Sequence, residues 1–493
     1  MKRLGPVAAL MAVALLSACG STVQVHGQSL LGSADGSGLG ATSGDPAIGG
    51  TTGAALAPGS TSALGTRPGS AATAATGAAQ TGATSTPVDT VVAGGPKAPV
   101  EVGVVIFPDV NAAAKSLGGT ADVGDQRAET MAAVTYVNAH GGLAGHKIKP
   151  VIFEVSLTST QPYSVTYQQI CTSFTQDHHV IAVVAIANVE KALPECLQRY
   201  RVLFFTHGHY LRSASDYAEL ANVITPEDAG SDRVARALVK EVLTSGAVTS
   251  GGKLGLLVMD YSAPQQARDD IIVPAMKAKG ISVVSYTIPY PQSTQDIANA
   301  ASVVQSAELQ MAAQGVKTVT FLCPGCVTFF VQYAESQAYY PRYVLTSFDT
   351  LLSYKGKGHT RSFANALAVG WDPMKDIGLY AAPGPLAANP TFALCHTIEK
   401  ANITQDQSLA ASQSICSAFL GLEAAAEANP SAVTGEGLMA GFVGLRSSFA
   451  GAANLTTLLG QGHRDGTSGY RTMRYQSGCD CFVYDRVPVL PLS

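Results

Sequence analysis

Tyr136-Val137-Asn138-Ala139-His140-Gly141-Gly142-Leu143-Ala144-Gly145-His146-Lys147-Ile148 is the stretch on which the reading of this 493-residue chain turns. A segment over residues 125–139 runs into it, with Ala128, Met131, Ala132, Val134, Thr135 and Val137 at helical spacing. The paired glycines end that helix, because they let the chain leave in left-handed geometry. Gly145 then turns it into a β-rich run over 150–155, and a second such run, 100–107, precedes the helix. Strand, helix, glycine stop and strand make one βαβ unit.

The alternation continues outward from that unit. Helices are predicted over 161–176 and 190–200, and strands over 180–187 and 202–206. Four strands joined by helices require right-handed crossovers and a parallel, doubly wound sheet. A second series follows Asn222-Val223-Ile224-Thr225-Pro226, with helices over 228–244, 265–279, 294–313 and 327–337 and strands over 254–259, 281–288, 318–322 and 343–347. The fold class expected is α/β, with two doubly wound Rossmann-like lobes. About 395 residues from Ala98 onward also exceed what one core usually holds. A ligand of such sheets binds outside the carboxyl ends of the strands.

Composition narrows the function. Hydrophobic residues make up 46% of the chain and charged residues 13%, with a formal net charge of −4. That balance gives no electrostatic footprint for nucleic acid. No G-x-S-x-G, P-loop or H-E-x-x-H is present, so neither catalysis nor a cofactor is expected. His207-Gly208-His209 and His178-His179 fall at opposite ends of different predicted strands, and no metal site is assigned to them.

Before Ala98 the chain changes character. Lys2 and Arg3 precede an apolar stretch over 7–16 that is too short to span about 30 Å of hydrocarbon as a helix, and it reads as an export signal. Leu16-Ser17-Ala18-Cys19 resembles the lipobox of bacterial lipoproteins, which implies acylation of Cys19 and cleavage before it. Residues 20–97 are mostly Gly, Ala, Ser and Thr, and they cannot bury enough surface to offset their ordering entropy. As a flexible tether they would reach about 50 Å on average.

Of nine cysteines, eight remain after Cys19, an even number where disulfides persist. Local pairing is the simplest arrangement: Cys171 with Cys196, Cys323 with Cys326, Cys395 with Cys416, and Cys479 with Cys481. Eight cysteines nevertheless allow 105 connectivities. Cys323-Pro324-Gly325-Cys326 also reads as a redox dithiol, and Cys479-Asp480-Cys481 as its partner around a metal.

The segment from Tyr136 to Ile148 resembles the N-I-N-x-x-G-G-hydrophobic-x-G-R-K-hydrophobic signature of the branched-chain amino-acid binding proteins. It stands, as there, after the first helix and before the second strand. The resemblance implies a type I periplasmic-binding-protein fold, a three-segment hinge, and a substrate-binding lipoprotein of an ABC importer. The Cys171 to Cys196 spacing is similar to that family's lobe-one disulfide. Crossings are then expected near 221–226, 367–373 and 455–469. Lobe one would comprise 98–222 and 370–456, and lobe two 223–369 and 457–493. Helical stretches over 412–428 and 436–449 would return to lobe one, and 470–475 would be a closing strand.

Family members that bind amino acids hold the carboxylate with hydroxyls and backbone N–H groups of lobe one, and the ammonium with an acidic residue. Carried over, the resemblance points to loops 107–111, 187–189 and 206–209, and so to Asp109, Asn188, Thr206 and His207. Asn188 stands where the family usually has serine or threonine. From lobe two it points to Asp260, to Tyr261 as a lid, and to Asp349 as ammonium partner or solvated loop carboxylate. Trp371, the sole tryptophan, would stack on a ligand or pack beneath the hinge. The expected partners are a small ligand, amino-acid-like, amide or carboxylate, and ABC permease subunits in the membrane. The protein is expected to be an extracytoplasmic monomer held by lipid at Cys19. The competing readings are a lipid-anchored sensor of the same fold and an exported thiol oxidoreductase centred on Cys323 and Cys326.

Overall fold

The computed structural model describes residues 98–116, 123–186, 189–208, 210–378, 383–402 and 410–493. Cys19, the tether, Asn188 and His209 lie outside the described residues.

The opening segment behaves as its glycines require. The helix Gln126–Ala139 is capped by Asp125, whose side chain accepts from the N–H groups of Arg127 and Ala128. It ends at His140, and Gly142 follows at φ 70°, where a Cβ would come within 2.2 Å of the His146 carbonyl oxygen. Asn138 then pins the next strand to the helix end. Its Nδ2 donates to the Ile148 carbonyl (2.9 Å) and its Oδ1 accepts from the Ile148 N–H (2.7 Å).

The first sheet contains β1 (Val100–Ile106), β2 (Ile148–Glu154), β3 (Ala182–Ala185), β4 (Leu203–Thr206) and β5 (Val223–Ile224). All are parallel, in the order β2-β1-β3-β4-β5. Helices cover both faces, and the side chains divide with the period of two that a strand imposes. Ala182, Val184 and Phe205 enter one core with Val134, Val137, Phe419 and Phe442. Val183, Ala185 and Phe204 enter the opposite one with Phe174 and Leu193.

The second sheet contains β6 (Lys253–Met259), β7 (Ser282–Ile288), β8 (Thr318–Leu322), β9 (Arg342–Thr346), β10 (Leu367–Gly370), β11 (Gly469–Gln476), β12 (Cys481–Tyr484) and the short β13 (Leu490–Pro491). The order is β7-β6-β8-β9-β10-β11-β12, with β13 on β11. β7 to β10 are parallel; β11 and β12 run antiparallel to their neighbours. Leu256 and Val258 face one core, Leu257 and Met259 the other.

The first sheet therefore has one strand more than the four read from sequence, and the second three more than its four and the closing strand, which is β11. β5 is only two residues long, and β10 falls within the stretch taken as a crossing. Both are formed because buried backbone beside β4 and β9 must be paired.

The chain passes between the sheets after β5, after β10 and before β11. The helices Pro390–Asn402 and Ala410–Ala428 pack on Gln126–Ala139 of the first lobe. Disulfides join Cys171 to Cys196, Cys323 to Cys326, Cys395 to Cys416 and Cys479 to Cys481. Among the described residues no helix is long and apolar enough to cross a membrane.

Candidate functional site: the cleft between the lobes

Loops at the carboxyl ends of the two sheets touch each other. After β2, the Tyr163 N–H donates to the carbonyl of Gln292, which follows β7 (3.0 Å), and the Thr294 hydroxyl donates to Leu157 O. After β4, the Leu211 N–H donates to the hydroxyl of Tyr261, which follows β6 (2.9 Å). The Ser215 hydroxyl reaches Gln266 Oε1 at 3.1 Å. These bonds all run from one lobe to the other, so the cleft stands closed.

Aromatic rings line the closure. Tyr210 of lobe one stacks on Tyr261 of lobe two, with centroids 4.5 Å apart and planes 12° from parallel. Tyr290 meets both edge-on, at 5.8 and 5.4 Å. The Arg212 guanidinium lies 4.9 Å from the Tyr210 ring centre while donating to Val189 O. Glu190 completes this wall. Burial lifts its carboxyl to about 7, and its Oε1 is buried without a hydrogen-bond partner. Burial also lifts the phenols of Tyr167 and Tyr290, and the nearby Glu190 carboxylate adds to the effect.

A second constellation sits where the crossings leave the sheets. His207, buried at the end of β4, has Nδ1 3.0 Å from Asp228 and Nε2 3.2 Å from Asp372. Lys375 lies 3.4 Å from Asp372 and 3.9 Å from Asp228. Burial and the Lys375 ammonium pull the imidazole down, but Asp228 and Asp372 outweigh them and raise it to about 9. Burial in turn pushes both carboxyls up, yet His207 and Lys375 hold them below the usual carboxylate range. An imidazolium between two carboxylates thus joins the end of β4 to the first and second crossings. On the third, Asp465 pairs with Arg233 at 2.7 Å and accepts from the Gly230 N–H. Arg233 also donates to the carbonyls of Asp465, Thr467 and Leu492.

The residues singled out from sequence take different places. Tyr261 is in the cleft wall. Thr206 ends β4 and is buried, with His207 beside it in the ionic cluster. Asp109 bridges the loops after β1 and β2. Burial would push its carboxyl up, but hydrogen bonds from Ser156, Leu157 and Thr158 prevail and bring it to about 2. Asp260 is exposed and accepts from Gln265 at 2.7 Å. Asp349 caps its own turn, accepting from Thr346 N–H and hydroxyl, while burial lifts it to about 7. Trp371 is 1% exposed and packs edge-on against Phe348 at 5.0 Å. Cys323 and Cys326 are buried at the carboxyl end of β8.

Tyr210, Tyr290, Glu190 and Arg212 were not singled out. Tyr290 had a signal, since it follows a strand end as Tyr261 does. The family model for periplasmic binding proteins matches residues 113–480. The chain belongs to that family.

Solved structures agree on the fold of this periplasmic binding protein. It is similar to an ABC transporter substrate-binding protein from Desulfitobacterium hafniense in complex with Leu, at 14% identity and a TM-score of 0.51, covering 78% of this chain and 100% of that one. A possible leucine/isoleucine/valine-binding protein from Rhodopirellula baltica SH 1 is 13% identical with a TM-score of 0.54, covering 80% and 98%. A solute binding protein from R. palustris in complex with 4-hydroxybenzoate is 12% identical with a TM-score of 0.56, covering 80% and 97%. No curated protein matches this binding protein in sequence.

Proposed function

We propose that this binding protein captures a small polar ligand between its lobes and hands it to an ABC permease. The observation that carries the reading is the pairing of Tyr261 with Tyr210 and with the Leu211 N–H, because it makes an aromatic residue of lobe two a lid on lobe one. Hinge closure around a ligand is the motion such a contact would complete. Tyrosine faces and hydroxyls, with Arg212 and Glu190 at the edge, suit a ligand with a flat or short apolar body and one polar end. The class is an amino-acid-like molecule, an amide or a carboxylate. The two solved relatives that hold leucine and 4-hydroxybenzoate carry ligands of that description.

Lipid at Cys19 would keep the receptor beside its permease, and residues 20–97 would give it reach. A thermal-shift panel of amino acids, amides, urea, aromatic acids and sugars on the purified protein tests the reading. A ligand at 100 times its dissociation constant stabilises by about 2.7 kcal/mol. If every compound leaves the melting point unmoved, the reading is wrong.

A further inference from the structure

At the β11–β12 edge of the second sheet, on the far side of it from Tyr261 and Tyr290, a half-open pocket of about 530 Å³ lies between β12 and the chain after the second crossing. That is within the range of roughly 300–1,000 Å³ usual for small-molecule sites. Leu351, Ile377 and Phe482 give it apolar walls, and Lys355, Arg471 and Arg486 also line it. The two acids on the lining do not cancel these cations. Asp485 is already engaged, accepting from the Thr472 hydroxyl (2.9 Å) and Arg474 Nε (3.1 Å). Asp376 is 1% exposed, burial with the nearby Asp372 carboxylate raises its carboxyl well above the ordinary range, and its Oδ2 already accepts from Ser347 and Tyr484.

Two polar atoms of this lining are buried and unanswered. Arg471 Nε has no hydrogen-bond partner. Asp376 accepts through Oδ2 from Ser347 and Tyr484, but its Oδ1 has no partner. A buried donor left unpaired is costly, more so when charged, and an anion that pairs with the guanidinium offsets that cost.

We propose that this cavity is a second binding site, for a small organic carboxylate with an apolar body. Its carboxylate pairs with the Arg471 guanidinium, and its body lies against Phe482, Ile377 and Leu351. A dianion such as phosphate fits less well, since the walls are apolar and Asp485 lies close by. The site also touches the hinge: Ser347, which donates to Asp376, accepts from the backbone N–H groups of Trp371 and Asp372.

The test uses the purified full chain with benzoate and hexanoate as probes, and benzamide and inorganic phosphate as controls, read by calorimetry and ligand-observed NMR. Both carboxylates bind the wild type and the controls do not. Arg471→Gln weakens carboxylate binding at least about tenfold, as loss of a charge-assisted contact should. Gly384→Phe blocks binding without removing a charge, because Gly384 lines the cavity and nothing stands within 4 Å of a Cβ placed there. That variant decides the matter should Arg471→Gln not fold. Tyr261→Ala, which disturbs the cleft, leaves this binding intact. The proposal is overturned if neither carboxylate binds, if Gly384→Phe binds as the wild type does, or if Tyr261→Ala abolishes binding while Gly384→Phe retains it, which would assign the probes to the cleft.

Discussion

His207 Nε2 lies 3.2 Å from the Asp372 carboxylate, joining the end of β4 in the first sheet to the chain as it leaves the second. Its other nitrogen faces Asp228, with Glu227 at 3.9 Å and Lys375 as the neighbouring cation. The folded imidazole, at about 9, stands above the unfolded value of about 6.5. Its contribution to stability is therefore fully present below about pH 6.5 and is lost as pH rises through about 9. Urea unfolding of wild type and His207→Asn should differ by about 3 kcal/mol at pH 6, and the gap should close towards pH 10. A gap that does not change with pH would sink this account. The depressed Asp228 and Asp372 act with the opposite sign: their support is present above about pH 4 and fades as pH falls below it.

The Tyr261 hydroxyl gives closure a single atom to test. Tyr261→Phe keeps the ring on Tyr210 but leaves the Leu211 N–H without its acceptor. We expect a loss of about 1 kcal/mol from the closed state, and so a roughly fivefold weaker affinity for any cleft ligand. Small-angle scattering should show a larger mean radius than for the wild type at the same ligand concentration. Unchanged affinity and radius would remove Tyr261 from the closing contact.

Arg233 and Asp465 form a buried pair, so removing either member alone is costly because the other's charge stays buried. Asp465→Ala leaves the guanidinium buried with carbonyl partners but no counter-charge. The expected loss is about 3–5 kcal/mol in chemical denaturation. A loss below about 1 kcal/mol would mean that water reaches the pair.

If lipid at Cys19 is the anchor, as we propose, Cys19→Ser should move the protein from the membrane fraction to the soluble one on cell fractionation, with its ligand affinity unchanged. Continued membrane association would rule out lipid at that residue as the anchor.

The lobes are legible in sequence because most strands of both series are apolar runs and the helices stop at a glycine or polar turn. The helix Thr294–Ala313 and the strand Thr318–Leu322 fall at the predicted bounds for that reason. β10 and β12 are not legible, since no helix in the predicted alternation sets them off as βαβ units, and their pairing is decided by β9 and β11. The same difference separates the candidate residues. Thr346 and Asp349 form a capping box, a pattern visible three residues apart that would have marked Asp349 as occupied locally. The cluster of His207, Asp228, Asp372 and Lys375 has no such signature. Its members meet only because the first two crossings run past the end of β4.

Every cysteine among the described residues is paired. A thiol introduced at Val165 and another at Leu309, exposed positions on opposite lobes, would therefore be labelled without competition from those eight. The disulfides thus leave the domain chemically silent towards maleimide dyes. That makes the opening and closing of the lobes observable as a distance between two fluorophores, one molecule at a time.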